Sequence, residues 1–418
     1  MGRIVRCAAV LLVALFPLAL YADDRDLVST HCHETALDLD GHHTVALLDG
    51  CGEGYPENLL WDLDRIDQIA PVLDGHFDRS NRGEGSVVYV MDTGVMANHT
   101  EFVSPGGESR VIAGFDASGV VPIGASKCRS ANKALAPCFL NFEELSAASH
   151  GTAVASIIAG RRVGVAPNAQ VISIRVMNER GLATTRSYLD GLNATIRHAW
   201  TPGSPQFDTA VVNISGWVLE QLTGGGDPHP VAFATVEQKI RDMVRGVDAD
   251  GTPDPNGKRF LFVVAANNID GGCGSAGYVD RFPAVLGKRI EGVITVGGMT
   301  EDNSWWYGGC RGDIEILAPA KDIFCATITA ADHYRGRRPN LRSGTSFAAP
   351  IISGIAARLL SDRPDMTPAA LEAWITSTPS RIDTPSTMFA DGKVGYVEPI
   401  TLPRPMMSSA RRELGGNE

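Results

Sequence analysis

The chain reads as an α/β fold of three layers, with a mostly parallel central sheet covered by helices on both faces. Three observations predict this. Short, continuous apolar runs rich in β-branched residues recur along it, including Val87–Met91, Thr209–Ser215 and Phe260–Ala266. Such runs suit strands buried on both faces. Between them lie segments with apolar residues at helical spacing, such as Val154, Ile157 and Ile158. The two kinds alternate throughout, which is the pattern of a parallel sheet with crossover helices.

With 418 residues, the chain can hold one large domain or two ordinary ones. It is 44% hydrophobic and 20% charged, a globular composition. The net charge of −11 argues against nucleic acid as the main partner, since phosphate binding needs a basic face. Residues 1–22 have a basic start at Arg3 and Arg6, an apolar stretch from Cys7 to Leu20 and a small residue at Ala22. This predicts a signal peptide, with the apolar stretch too short for a stable membrane span. The expected location is secreted or periplasmic. Setting Cys7 aside leaves seven of the eight cysteines. In an oxidising compartment most should pair. Local spacing suggests Cys32–Cys51 and Cys128–Cys138; Cys273–Cys310 is a third expected pairing, with Cys325 left over.

Residues 23–57 read as a polar N-terminal extension or short prosegment. Its His31, His33, His42 and His43 fit either a metal site or a solvated, disulfide-tied segment. The compact domain is expected over 58–400, opening at Trp61-Asp62-Leu63-Asp64-Arg65-Ile66. Val87 to Met91 is a buried strand that Asp92 ends, followed by a Thr-Gly turn. A carboxylate there suits the site position of an open α/β sheet, although an isolated Asp at such a place is more often only a turn former. Residues 116–148 form an irregular surface excursion. Ser149 to Gly160 is a helix with His150 at its start and small neighbours Gly151, Thr152 and Ala153. Strands follow at Gln170–Met177, Thr209–Ser215, Phe260–Ala266 and Ile290–Val296, with helices at Leu189–Ala199 and Val236–Val247. The loop from Asp248 to Gly257 carries three carboxylates, a partial match to an oxygen-ligand calcium loop that also fits a plain turn. Pro368 to Thr376 is a helix capped by Thr367. Residues 401–418 form a polar tail.

The run from Phe347 to Leu360 is apolar nearly all round, so it predicts a buried helix with Ser346 at its N-terminus. Pro350 is expected in the first turn, where its missing N–H costs nothing. An isolated Gly-Thr-Ser is most often only an N-cap. The alternative is a nucleophile favoured by the helix dipole. Asp92 and His150 shift the balance, because a serine becomes nucleophilic when a base takes its proton and a carboxylate fixes that base.

In the order Asp…His…Ser, the three stretches resemble those of subtilisin-like serine proteases (subtilases), most closely the proteinase K branch. They are Val90-Met91-Asp92-Thr93-Gly94-Val95, His150-Gly151-Thr152 and Gly344-Thr345-Ser346-Phe347-Ala348-Ala349-Pro350. The segment Trp61 to Gln68 resembles the start of a mature enzyme of that branch. The resemblance implies a subtilisin-like fold and a serine endopeptidase acting on polypeptides as a monomer. Asp92 would orient, His150 would act as base and acid, and Ser346 would attack. The resemblance also places the oxyanion-hole amide at Asn268 and the substrate-binding wall at Ser215, Gly216, Trp217 and Asn267. Four positions depart from the family pattern: Asn267 and Trp217 where glycine is usual, and Ala153 and Ile351 where histidine is usual. No cofactor is implied for the chemistry. A structural calcium is compatible with the family, with no ligands assignable. A catalytically silent binding protein and a narrow-specificity processing protease are the alternatives.

Overall fold

Each central strand carries apolar side chains on both of its faces, and the packing follows from that. The computed structural model describes residues 44–46, 60–67, 73, 75–104, 106–116, 149–178, 181–218, 230–247, 252, 257–269, 273, 277–328, 334–335, 341–377, 381–382, 387–388, 394–395 and 400–401. The strands are Thr44–Ala46 (β1), His76–Asp78 (β2), Val87–Asp92 (β3), Val111–Asp116 (β4), Gln170–Arg175 (β5), Thr209–Ile214 (β6), Arg259–Ala265 (β7), Val293–Met299 (β8) and Ile316–Pro319 (β9). The helices are Trp61–Ile66 (α1), His150–Ala159 (α2), Thr185–Trp200 (α3), Pro230–Arg245 (α4), Thr345–Asp362 (α5) and Pro368–Thr376 (α6).

A nine-stranded sheet runs in the order Arg381–Ile382, Ile400–Thr401, β9, β8, β7, β6, β3, β5, β4. All its pairings are parallel except the one between Arg381–Ile382 and Ile400–Thr401. Side chains alternate between the two faces, as the two-residue strand period requires. Val88, Val90, Val211, Leu261 and Val263 point into one cluster with Val154 and Ile157 of α2 and Ile352 and Ile355 of α5. Tyr89, Met91, Val212, Phe262 and Val264 point into the other, with Leu192 and Ile196 of α3 and Ile240 and Met243 of α4. The three layers expected from the sequence are therefore present, and α2 and α5 share one face.

Several boundaries differ from the sequence expectation for local reasons. β8 begins at Val293 and not Ile290, because Ala284–Arg289 is a 3₁₀ turn and the Ile290 N–H closes it on the Leu286 carbonyl. α3 begins four residues early, at Thr185, where Thr184 and Ser187 form a reciprocal capping box. β4 is an edge strand that was not anticipated. Gly114 interrupts its apolar run, and a Cβ there would collide with Ile174 of β5. The signal segment, the histidines of the extension, the Cys32–Cys51 and Cys128–Cys138 pairings, most of the Asp248–Gly257 loop and residues 402–418 lie outside the described residues. Among those described, no helix is long and apolar enough to cross a membrane, and no group of His, Cys, Asp or Glu could hold a metal ion.

Helix α6 is held to the sheet by a carboxylate in an unusual state. Glu372 accepts a hydrogen bond from the Gly292 N–H, and burial pushes its carboxyl up to about 7. Its ordinary value is 4.5, so between about 4.5 and 7 the folded chain keeps a proton that the unfolded chain has released. Stability therefore falls as pH rises through that window. Glu372→Gln keeps an acceptor for Gly292 but cannot ionise. It is expected to show a flatter dependence of Tm on pH and a higher Tm than the parent at pH 8, measured by thermal unfolding across pH.

Candidate active site

Parallel strands deliver their carboxyl ends to one edge of the sheet, where open α/β folds form crevices. Asp92 ends β3, and the exits of β6 (Ser215 to Val218) and β7 (Ala266 to Ile269) lie at the same edge. His150 is the first residue of α2 and Ser346 the second of α5, so both helices aim their N-terminal turns there.

Asp92 is fully buried, and His150 is partly exposed. The His150 Nδ1 stands 2.8 Å from Asp92 Oδ1 and 3.0 Å from Oδ2. An ionised carboxylate only accepts, so Nδ1 carries the hydrogen and Nε2 keeps a free lone pair. The Thr93 N–H also donates to Asp92 Oδ1, at 2.7 Å. The Tyr188 phenol is pushed up by burial first and by the Asp92 charge second, which keeps it neutral.

The His-Gly-Thr stretch follows from close approach. A Cβ on Gly151 would collide with the Gly94 carbonyl oxygen, so only glycine lets α2 begin against the turn after β3. The Gly151 N–H donates to Thr93 Oγ1 at 3.0 Å, and Thr152 Oγ1 accepts from the Met96 N–H at 2.9 Å. Phe347 lies against the His150 ring at 5.5 Å between centroids. Its ring also lies 5.7 Å from the Arg342 guanidinium, which donates to Ser149 Oγ at the start of α2. Base and nucleophile turns are thus joined by a packed cation–π contact. Ala153 and Ile351, where the resemblance led to an expectation of histidine, are fully buried in the core between α2 and α5.

Ser346 is not an N-cap, since Gly344 occupies that position. Its hydroxyl donates to the Ser215 carbonyl at 3.2 Å, and no hydrogen bond joins it to His150. Hydrogen bonds between a nucleophile and its base often form or tighten only when substrate is present. The expectation for Pro350 needs correction. α5 begins at Thr345, so Pro350 lies within the helix and not in its first turn. Its missing N–H would have bonded the Ser346 carbonyl four residues back. That carbonyl instead accepts from Ser215 Oγ at 2.9 Å. The relay continues inward: Asn213 Nδ2 donates to Ser215 Oγ at 3.0 Å, and Ser353 Oγ to Asn213 Oδ1 at 2.9 Å. Sequence reasoning missed this buried relay. Its visible signal was an amide at Asn213 in an otherwise apolar strand, since a buried amide needs partners.

Asn268 faces the same turn. Its Oδ1 accepts from the Thr345 N–H at 3.0 Å and from Thr345 Oγ1 at 3.1 Å. A backbone N–H can only donate, so the orientation of the amide is set and Nδ2 is directed away from Thr345. Asn267 has φ of 73°, in the left-handed region where asparagine is the commonest substitute for glycine. Its side chain is buried. Cys273 and Cys310 form a disulfide, one of the three pairings expected, and Cys325 is buried. The Cys310 N–H donates to the Asn267 carbonyl at 2.9 Å, so the bridge supports the strand exit that carries Asn268.

A family model described as the subtilase family matches residues 83–395. The chain is 27% identical over 328 residues to alkaline serine exoprotease A of Vibrio alginolyticus, across 77% of this chain and 47% of that protein. It is 28% identical over 314 residues to an extracellular serine proteinase of Thermus sp. (strain Rt41A), across 74% and 58%. Similarity to subtilisin-like protease 1 of Trichophyton rubrum is 27% over 301 residues, across 72% and 46%. The chain thus spans about half the length of these curated relatives. Among solved structures, a cold adapted subtilisin-like serine proteinase shares 25% identity at a TM-score of 0.56, covering 83% of this chain and 98% of that one.

Proposed function

The chain belongs to the subtilase family, and from that premise we propose that it is an exported serine endopeptidase that cuts polypeptides through an acyl-enzyme. The observation that carries the proposal is the His150–Asp92 hydrogen bond, which leaves Nε2 as a lone-pair base in the crevice that holds Ser346. His150 takes the Ser346 proton as Oγ bonds to the substrate carbonyl carbon. The resulting oxyanion accepts hydrogen bonds from Asn268 Nδ2 and the Ser346 N–H at the start of α5. Asp92 stabilises the imidazolium, which then gives its proton to the leaving amine as the C–N bond breaks. Water repeats the sequence on the acyl-enzyme, activated by the same base. These steps use only the chain's own groups.

Export draws support from the basic–apolar–small pattern of residues 1–22 and from the Cys273–Cys310 disulfide. Any calcium would be structural; among the described residues no group of three or more His, Cys, Asp or Glu is placed to hold a metal ion. The deciding experiment is fluorophosphonate labelling of the purified full chain, run beside casein digestion. Labelling with digestion is expected. Labelling without digestion would favour a narrow-specificity processing protease. No labelling of a folded sample would favour a binding protein on a protease scaffold.

A further inference from the structure

The direction in which a substrate side chain must point follows from the two strand exits beside Ser346. Ser346 Oγ rests on the Ser215 carbonyl at the β6 exit, and Asn268 at the β7 exit is tied to Thr345. β6 and β7 are adjacent and parallel. A carbonyl attacked by Ser346 with its oxygen at Asn268 therefore lays its own side chain into the slot between the two exits.

That slot is built tightly. Gly216 has its backbone pressed onto Met177, where a Cβ would collide with the Met177 methyl, so this wall cannot retreat. Asn267 keeps its side chain buried in the other wall. Trp217, two residues beyond Ser215, is half-buried, and the Arg281 guanidinium carbon lies 5.8 Å from its ring centroid. Arg281 is paired with Asp280 at 3.5 Å, and the segment before it is tied to the β7 exit, because Arg311 bonds the backbone of Gly277 and Val279 while its neighbour Cys310 bonds the Asn267 carbonyl. The indole–guanidinium contact thus spans from one bank to the other.

We propose that Trp217 and Arg281 close the slot to long side chains, so that the chain cleaves after small, uncharged residues such as alanine and rejects bulky aromatic and cationic ones. The inference rests on the reading of Ser346, His150 and Asn268 as a peptide-cleaving site. The indole occupies volume that a phenyl group would need, and the guanidinium repels a lysine or arginine side chain arriving beside it.

The test uses peptide p-nitroanilides that differ only at the residue supplying the attacked carbonyl, with fluorophosphonate labelling as a separate readout. The full chain is expected to favour alanine over phenylalanine by about a hundredfold in kcat/KM, the scale on which pockets discriminate by size. Trp217→Gly is expected to reverse that preference. Trp217→Val, which keeps an apolar wall, should fall between them, and it serves if the glycine variant does not fold. Arg281→Ala should raise cleavage after lysine more than after phenylalanine. Equal cleavage after alanine and phenylalanine by the parent chain, or an unchanged preference in the folded Trp217 variants, would overturn the proposal while labelling persists. Absence of labelling in the folded parent chain would overturn the reading of the site and this inference together.

Discussion

Ser346→Ala is expected to abolish fluorophosphonate labelling and casein cleavage together, while Tm stays close to that of the parent. The structural cost is small because the side chain makes one hydrogen bond, to the Ser215 carbonyl, and is partly exposed. A single such bond contributes only about 1 kcal/mol net. The loss of turnover should be about a millionfold, the scale that subtilisin itself, a member of the same family, shows for this residue. His150→Ala should cost about as much, and the double variant little more than either single one, because the two act as a unit. Parent-like casein cleavage by Ser346→Ala would place the nucleophile elsewhere. A double variant far worse than either single one would show that the two residues do not serve one step.

Asn268→Asp separates two roles that alanine would confuse. The Asn268 carbonyl oxygen holds the Thr345 N–H and hydroxyl at the first turn of α5. Truncation to alanine would leave those donors without an acceptor near the nucleophile. On the proposed mechanism, aspartate keeps the acceptor and removes only the donor that would face the developing oxyanion, adding a negative charge where the transition state would also become negative. The expected result is a fall in kcat of at least 10²–10³-fold, the range for loss of one oxyanion donor in this family. Substrate dissociation constants should change far less, since the contact matures in the transition state. Steady-state kinetics, with binding measured on the Ser346→Ala background, would decide it. An equal loss in binding and turnover would assign Asn268 to substrate positioning.

What could be read from the sequence was local, and what could not depends on distance along the chain or on register. β3 ending at Asp92 is visible as a run of β-branched residues, and α6 is visible because Thr367 and Pro368 announce its start. The three stretches proposed as catalytic are visible because each carries its own small residues. The function of Pro350 was hidden, because it depends on where α5 begins. Only with Thr345 as the first helical residue does the missing N–H free the Ser346 carbonyl for Ser215. The Ser353–Asn213–Ser215 relay joins residues 140 apart, and no local pattern announces such a link. The resemblance gave Asn267 as part of the substrate wall. Its left-handed backbone, where asparagine most readily stands in for glycine, is a fact about φ that residue identity only hints at.

An enzyme that cuts peptide bonds, as proposed for this chain, is made of its own substrate, and the burial of α5 bears on that. Thr345 and every residue from Phe347 to Leu360 are buried, so Ser346 stands on a rod that passes through the core. A molecule opened far enough to thread through a neighbour's cleft has already drawn that rod out. On the proposed activity, a copy being cut within α5 cannot be cutting at the same time. Cleavage there becomes an encounter between one closed copy and one open copy. Its rate follows the product of the two populations and the square of total concentration, peaking near the unfolding midpoint. Well below that temperature, a dilute sample should preserve itself.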